Sequence, residues 1–398
     1  MKISAEAKKA IMIGSVCSLS YFAVYIARNI LGAVTPQLTQ GGIFTTEQIG
    51  RLSSIYFVVY AVGQLINGMI GDKIKAKYMI STGLVFAGIC SLLFCEGVHS
   101  LLLTYVAYGG VGFFLSMIYG PMTRVVAENT EPPYTTRCSL GYTFSSFFGS
   151  PLAGVLAGFL VWHHVFTTSS IMLVLMGCFC FALFTSFEKK GVLHYTVVKK
   201  QEKRTGGIRV LIQHQIIKFT LIALLTGVVR TTVVFWLPTY LSEYLGFSAQ
   251  EAAFIFTVAT FIISMNAFIA IFLYERLGSN MNLTILISFV VATIGFLCAA
   301  MIRQPVWNIV MVVIGILFGD CAATMLWSRY CPGLKDTGMV SSATGFLDFM
   351  SYMAASVSST LFANAVSVIG WQNLVMTWFG LMALGVIVVL PYKKRIAK

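Results

Sequence analysis

Long apolar stretches separated by short polar breaks run the length of this chain. Twelve can be marked, at roughly 11–35, 49–71, 78–95, 100–124, 138–161, 166–187, 215–241, 251–274, 282–302, 306–330, 338–365 and 370–390. Each is long enough to cross a bilayer as a helix, which takes about 17–25 residues. None alternates with a period of two, as a membrane β-barrel would. A backbone in hydrocarbon must also satisfy its own hydrogen bonds, so the pattern predicts helices. The longest polar break runs from about Glu188 to Gln215, at the middle of the chain. It marks a linker, 188–214, between a six-helix half at 1–187 and a second at 215–398. The predicted fold is an all-α membrane protein of twelve transmembrane helices in two six-helix halves. Gly120-Pro121 and Pro151 are expected to kink or loosen the fourth and fifth helices.

The polar breaks are not equivalent. Arg28 and Arg230 fall deep inside apolar stretches, and Arg51 and Arg303 lie at the ends of stretches on one side of the predicted bundle. The remaining basic residues gather on the other side, among them Lys2, Lys8, Lys9, Lys73, Lys75, Lys77, Lys199, Lys203, Lys393, Lys394 and Arg395. Such a bias places that side, with both termini, in the cytoplasm of a multi-pass inner or plasma membrane protein. The net charge of +13 is thereby explained by topology, and no nucleic-acid partner is expected. Composition agrees: 58% hydrophobic and 10% charged residues are too few charges to cover a water-soluble fold of 398 residues. The nine cysteines show no CxxC and no ligand spacing, so they read as small buried hydrophobes and no metal or cofactor is expected. The first apolar run is longer than a usual signal core and contains Arg28, so it reads as a span.

The two halves repeat each other. Arg28 precedes Pro36 by eight residues, and Arg230 precedes Pro238 by eight, an offset of 202. Gly71-Asp72-Lys73 and Tyr274-Glu275-Arg276 end corresponding helices, with acid and base offset by 203. Gly110 to Arg124 and Gly315 to Arg329 span fourteen residues each, offset by 205. Parallel six-helix repeats are the plan of the major facilitator transporters, which bind substrate near the midplane at the repeat interface.

Arg28 and Arg230 lie roughly 20–25 Å from the cytoplasmic starts of their helices, at similar depth in opposite halves. A charge there costs at least ~2.5–3.5 kcal/mol on insertion scales. Arginine cannot lose its proton, so it needs an anion or a wet cavity. Two guanidiniums facing one cavity would form a fork for a tetrahedral oxyanion, bound bidentately. Alternatively, each could pair with an intramembrane acid, Asp320 or Asp348; both acids lie in the second half only. Tyr21, Tyr25 and Arg28 share a helix face, as an anion-contacting stripe or as aromatic packing. Tyr56, Tyr60, Gln64 and Asn67 line one face of the second helix, facing a cavity or bonding between helices. Ser341, Thr344, Asp348, Ser351 and Tyr352 form a polar face on the eleventh helix. Asp72, Lys73 and Lys77, with Glu275 and Arg276 as counterparts, read as an inner-face charge lock or as loop anchors. Asp320 is a candidate coupling group.

Tyr21-x-x-x-Tyr25-x-x-Arg28 followed by Pro36 resembles the first helix of the organophosphate:phosphate antiporters. Arg230-x-x-x-x-x-Trp236-x-Pro238-Thr239-Tyr240-Leu241 resembles their seventh, and Gly345-Phe346 followed by Tyr352 their eleventh. The resemblance implies phosphate binding by Arg28 and Arg230, with Tyr21, Tyr25 and Tyr352 in support. It also implies exchange by rocking of the two halves. The chain departs from that family at Asn29 and Gln64, where lysines are common, and at Gly227, where a tyrosine stands. Its fifth helix has no histidine, and Asp348 replaces a small residue. The implied activity is exchange of a phosphorylated small metabolite for inorganic phosphate, by a monomer and without an enzyme's chemistry. Proton-coupled symport of another organic anion, such as a carboxylate, is the alternative, and a transporter-like sugar-phosphate receptor is the third reading.

Overall fold

In a computed structural model, residues 4–71, 74–195, 212–334 and 340–390 are described. The helices are α1 Ala5–Gln40, α2 Thr46–Gly71, α3 Ala76–Glu96, α4 Leu101–Asn129, α5 Pro132–Phe159 and α6 Trp162–Lys189. After the linker come α7 Ile216–Glu243, α8 Ala249–Arg276, α9 Met281–Met301 and α10 Pro305–Tyr330. The last helical stretch, Val340–Val389, is broken at Gly370 (φ 74°, ψ 168°), giving α11 (340–369) and α12 (371–389). Only glycine adopts that backbone readily. Ten helices in the described residues are long and apolar enough to cross a membrane, with the α11–α12 stretch counted as one. Within α5, Phe147–Phe159 is a shorter apolar stretch among the described residues.

Helix ends reach beyond the apolar stretches that announce them. Hydropathy marks the lipid-embedded part, whereas caps set where a helix stops. In α1 the Ser4 hydroxyl accepts the Ala7 N–H at 3.1 Å, so the helix begins before Lys8 and Lys9. In α4 the helical path loosens at residues 116–118, dividing it into Leu101–Leu115 and Tyr119–Asn129. Pro121 has no N–H to offer the carbonyl four residues before it, which accounts for the break. The helix α5 continues through Pro151. Two π-helical turns interrupt α-helices, Val228–Val233 in α7 and Leu326–Tyr330 in α10.

The chain forms two compact units. One comprises Met1–Glu202, Phe235–Phe261 and Ser356–Asn364; the other comprises Lys203–Val234, Ile262–Ala355 and Ala365–Lys398. In the first, α1 packs on α5 and α3 on α6. A Cβ on Gly88 would lie 2.8 Å from the Ser170 carbonyl oxygen, so this α3–α6 contact depends on a bare backbone.

The first unit also holds the second part of α7, the first part of α8 and a short piece of α11. Small residues and hydroxyls join these to α1, α2 and α5. Ser53 of α2 and Ser359 of α11 share a hydrogen bond, and the Trp236 indole donates to the Ser359 hydroxyl at 3.2 Å. The Ser54 hydroxyl pairs with that of Thr360 at 2.6 Å, and the Ser356 hydroxyl donates to the Ser54 carbonyl at 2.8 Å. A Cβ on Gly154 of α5 would lie 2.9 Å from the Ala253 carbonyl oxygen of α8. In the second unit, α9 packs on α10, and Trp378 of α12 is fully buried with its ring 5.7 Å from Phe296.

Candidate functional site

Arg28 stands well inside α1, half-buried, at the edge of an aromatic cluster. Its guanidinium carbon is 6.0 Å from the centre of the Tyr25 ring and 5.6 Å from that of Tyr60 on α2. Tyr21 meets Tyr25 edge-on at 5.0 Å and lies 5.3 Å from Tyr119 of α4. Behind them Tyr60 stacks on Tyr56 at 5.9 Å, and Tyr56 lies 5.2 Å from Tyr108. A desolvated cation over an aromatic ring gains about 2 kcal/mol. That is comparable to the insertion cost of the charge but leaves its full positive charge in place. The cluster can therefore hold a cation at this depth without neutralising it, which is what an anion site requires.

Neighbouring positions explain some departures from the family pattern. Asn29 donates from its amide to the Tyr25 carbonyl at 2.7 Å and to the Ser150 hydroxyl at 3.1 Å. It thus ties α1 to α5, a place with no call for a second cation. The polar stripe of α2 divides by role. Asn67 donates to the Ser116 hydroxyl of α4 at 2.7 Å, an interhelical bond, and Tyr56 is core. Tyr60 is buried beside Arg28, and Gln64 lies half-buried one turn further along.

Arg230, also half-buried, sits in the π-turn Val228–Val233 of α7. A π-turn widens the helix by one residue and re-aims the side chains on it, and such turns are frequent at functional sites. The helix α11 presses on α7 to either side of this arginine. A Cβ on Gly227 would come within 2.5 Å of the Ser351 carbonyl oxygen and 2.8 Å of its Cα. The Thr232 hydroxyl donates to the Ala355 carbonyl at 3.0 Å. Gly227 therefore lacks the family's tyrosine because the backbone of α11 occupies its space. Asp348, half-buried, and Tyr352, buried, flank Ser351 on the same stretch of α11. The α7–α11 pair thus carries Arg230, Asp348 and Tyr352.

Asp320 belongs to a different helix pair. It is buried in α10 at 7% exposure. One turn on, the Thr324 hydroxyl bonds to Asn266 of α8 at 2.7 Å and to the Asp320 carbonyl at 3.0 Å.

At the linker end of the helices, Asp72 and Lys73 lie outside the described residues. Among the described residues, Lys75 and Lys77 pair with Glu188 at the end of α6, each at 2.5 Å. Glu275 and Arg276 are exposed at the end of α8, with Arg276 5.6 Å from the Phe272 ring. The repeat-related arginines of α4 and α10 differ in surroundings: Arg124 pairs with Glu128 at 2.8 Å, whereas Arg329 lies 4.6 Å over the Tyr274 ring.

The π-turn under Arg230 has no signature in the sequence. Nor does spacing announce the approach of Cys95, Glu96 and His163, whose ligand atoms lie within 4.8 Å of one another although α3 and α6 are far apart in the chain.

Taken together these features define a multi-pass helical membrane protein with one deep arginine in each repeat. The Major Facilitator Superfamily profile matches residues 17–359, and the chain belongs to that superfamily, whose members are transporters rather than enzymes. The chain is similar to the membrane sensor protein UhpC of Salmonella typhimurium, 22% identical over 89% of this chain and 85% of that one. It is also similar to two proteins of Bacillus subtilis. The glycerol-3-phosphate transporter is 22% identical over 87% of this chain and 83% of its own. The hexuronate transporter is 21% identical over 85% and 83%. The partially occluded, inward-open xylose transporter XylE of E. coli shares the fold, with a TM-score of 0.75 at 12% identity over 97% of this chain and 99% of that one.

Proposed function

We propose that the chain exchanges a phosphorylated small metabolite for inorganic phosphate by alternating access. The observation that carries this reading is the placement of Arg28 and Arg230 at equivalent positions of the two repeats, each half-buried at membrane depth. Their guanidiniums bind the phosphoryl group of the substrate. Tyr21, Tyr25, Gln64 and Tyr352 contact it in support, and Asp348 meets hydroxyls of the carbon moiety. Likeness to a glycerol-3-phosphate transporter supports a phosphorylated cargo.

The small-residue seam of Ser53, Ser54 and Gly154 with Ser359, Thr360 and Ala253 serves as the outer gate. Asp72, Lys73, Glu275 and Arg276 lock the inner face, and Asp320 tunes the coupling. Both termini face the cytoplasm in this scheme.

The test is counterflow. Proteoliposomes loaded with phosphate should take up labelled phosphate, and external phosphate esters should compete. Uptake driven by a pH gradient, with no dependence on internal phosphate, would overturn the exchange reading. It would favour proton-coupled symport of a carboxylate, which Asp320, Asp348 and the likeness to a hexuronate transporter support. Saturable binding of a sugar phosphate without transport would instead support a receptor, as likeness to a sensor protein allows.

A further inference from the structure

A cavity of about 450 Å³ opens where α7 and α9 begin and α12 ends, within one compact unit. It lies at the end of α7 where the basic linker joins. Lys218 is about 18 Å along α7 from Arg230, at 1.5 Å per residue. Its lining has two chemistries. One wall is polar, with Lys218, Gln215 and Asn282, and among the described residues no carboxylate lines it. The Lys218 ammonium donates to the Asn282 amide oxygen at 2.9 Å, which takes one of its three donors and fixes its position. The rest of the lining is mainly apolar, with Leu283, Leu286 and Leu390.

We propose that this cavity binds an anionic glycerophospholipid. The phosphodiester would meet Lys218, with the amides of Gln215 and Asn282 beside it, and the first part of an acyl chain would lie on Leu286 and Leu390. Three observations favour a lipid over a soluble anion. The apolar wall has no use for a hydrated ion. The cavity is many times the roughly 30 Å³ that one water occupies. The protein also lives in a bilayer, where basic pockets between helices at the charged face recognise acidic head groups.

The experiment uses the purified full chain and three probes: phosphatidylglycerol, phosphatidylcholine and sodium phosphate. Lipid retention is read by native mass spectrometry, and thermal stability is read alongside. Wild type should retain phosphatidylglycerol about five-fold more than phosphatidylcholine at equal mole fraction, the worth of one basic residue at an acidic membrane surface. Lys218→Gln should remove that preference. Leu286→Trp, which fills the apolar half and leaves the charge, should lower retention of both lipids. Equal retention of the two lipids by wild type overturns the proposal. So does a Lys218→Gln protein that keeps the preference, or a Leu286→Trp protein that retains lipid like wild type. Stabilisation by sodium phosphate that Lys218→Gln abolishes assigns this cavity to a soluble ion and overturns it too. Should Lys218→Gln fail to fold, the wild-type comparison and Leu286→Trp still decide.

Discussion

The surroundings of Arg28 and of Arg230 occupy matching places in the two repeats, yet they are built differently. Arg28 projects from an unbroken α-helix into tyrosines, with Tyr25 and Tyr60 about 6 Å away, and α5 packs closely on that helix at Gly149, beside Tyr25. Arg230 rises from a π-turn, bracketed by two points where the neighbouring helix touches its own, at Gly227 and Thr232. Both helices are approached closely by a neighbour, but rings face the first arginine whereas a π-turn carries the second. On the exchange reading proposed above, the two charges are what phosphate binding needs, and the differing supports are where selectivity between cargos would be set.

The largest effect should come from changing the charge's shape. Arg28→Lys and Arg230→Lys keep a cation but lose the planar fork. Losing one charge-assisted hydrogen bond costs up to about 3 kcal/mol, roughly 100-fold in rate. Phosphate exchange in proteoliposomes should fall by about ten- to 100-fold in both variants, while insertion and folding persist. Wild-type-like exchange by both removes the premise of the comparison.

The next effect separates the two supports. Gly227→Tyr restores the residue the family pattern carries and drives a ring into the Ser351 backbone of α11. Overpacking of this kind costs about 1–3 kcal/mol. The melting temperature should fall clearly and Arg230-dependent exchange with it. On the other side, Tyr60→Leu removes one ring facing Arg28 and should weaken substrate binding about five-fold through the lost cation–π contact, whereas Tyr60→Phe, which keeps the ring, should stay within about two-fold. Equal losses for Phe and Leu would show that the hydroxyl, not the ring, is what matters at Arg28.

These expectations also mark what could be read from sequence. The deep arginines, the repeat and the superfamily were legible because a charge in a 20-residue apolar run is costly and therefore conspicuous. The helical, multi-pass fold was legible for the same reason: hydropathy reports lipid directly. Tertiary pairings were not. Nothing in the spacing of Asn29 shows that its amide turns to Ser150. The departure at Gly227 reads as a missing side chain until the backbone of α11 is seen filling its place. The sharing of the polar stripe of α2 between a helix tie at Asn67 and the arginine cluster at Tyr60 depends on where α4 and α1 lie. The π-turn beneath Arg230 arises from packing, and the local sequence Val-Val-Arg-Thr-Thr-Val carries no mark of it.

A smaller effect concerns the acid that only the second region has. Asp348→Asn removes a carboxylate from the α7–α11 pair and leaves the α1 cluster untouched. If that carboxylate serves the carbon moiety of the cargo, exchange of phosphate for phosphate should stay within about ten-fold of wild type, since a single charged hydrogen bond is worth about 1.5–3 kcal/mol, mostly to the ester. Ester uptake should fall further than phosphate uptake. Loss of both together would tie Asp348 to Arg230 itself and would move the asymmetry from selectivity to charge balance.

The smallest effect lies at the linker end, where the contrast between the halves is inverted. Here the first half uses ion pairs, Lys75 and Lys77 with Glu188, and the second uses a ring, Tyr274 under Arg329. Glu188 raises the pKa of the Lys75 ammonium above its ordinary value, chiefly through their hydrogen bond. A raised folded-state pKa means that the pair's contribution is complete below the ordinary lysine range and fades only as pH climbs through it. The exposed Lys75 pair is weak and salt-screened, with a Debye length of about 3 Å at 1 M, whereas Lys77 is buried and its pair is screened less. Glu188→Gln should therefore lower the melting temperature, and 1 M salt should remove only the part that Lys75 contributes. Tyr274→Leu should produce a small loss that salt barely alters, because a ring and its own packed surface are not screened as an exposed charge is. If both losses vanish together in salt, the Arg329 contact is electrostatic at long range, and the two contacts are held by the same force after all.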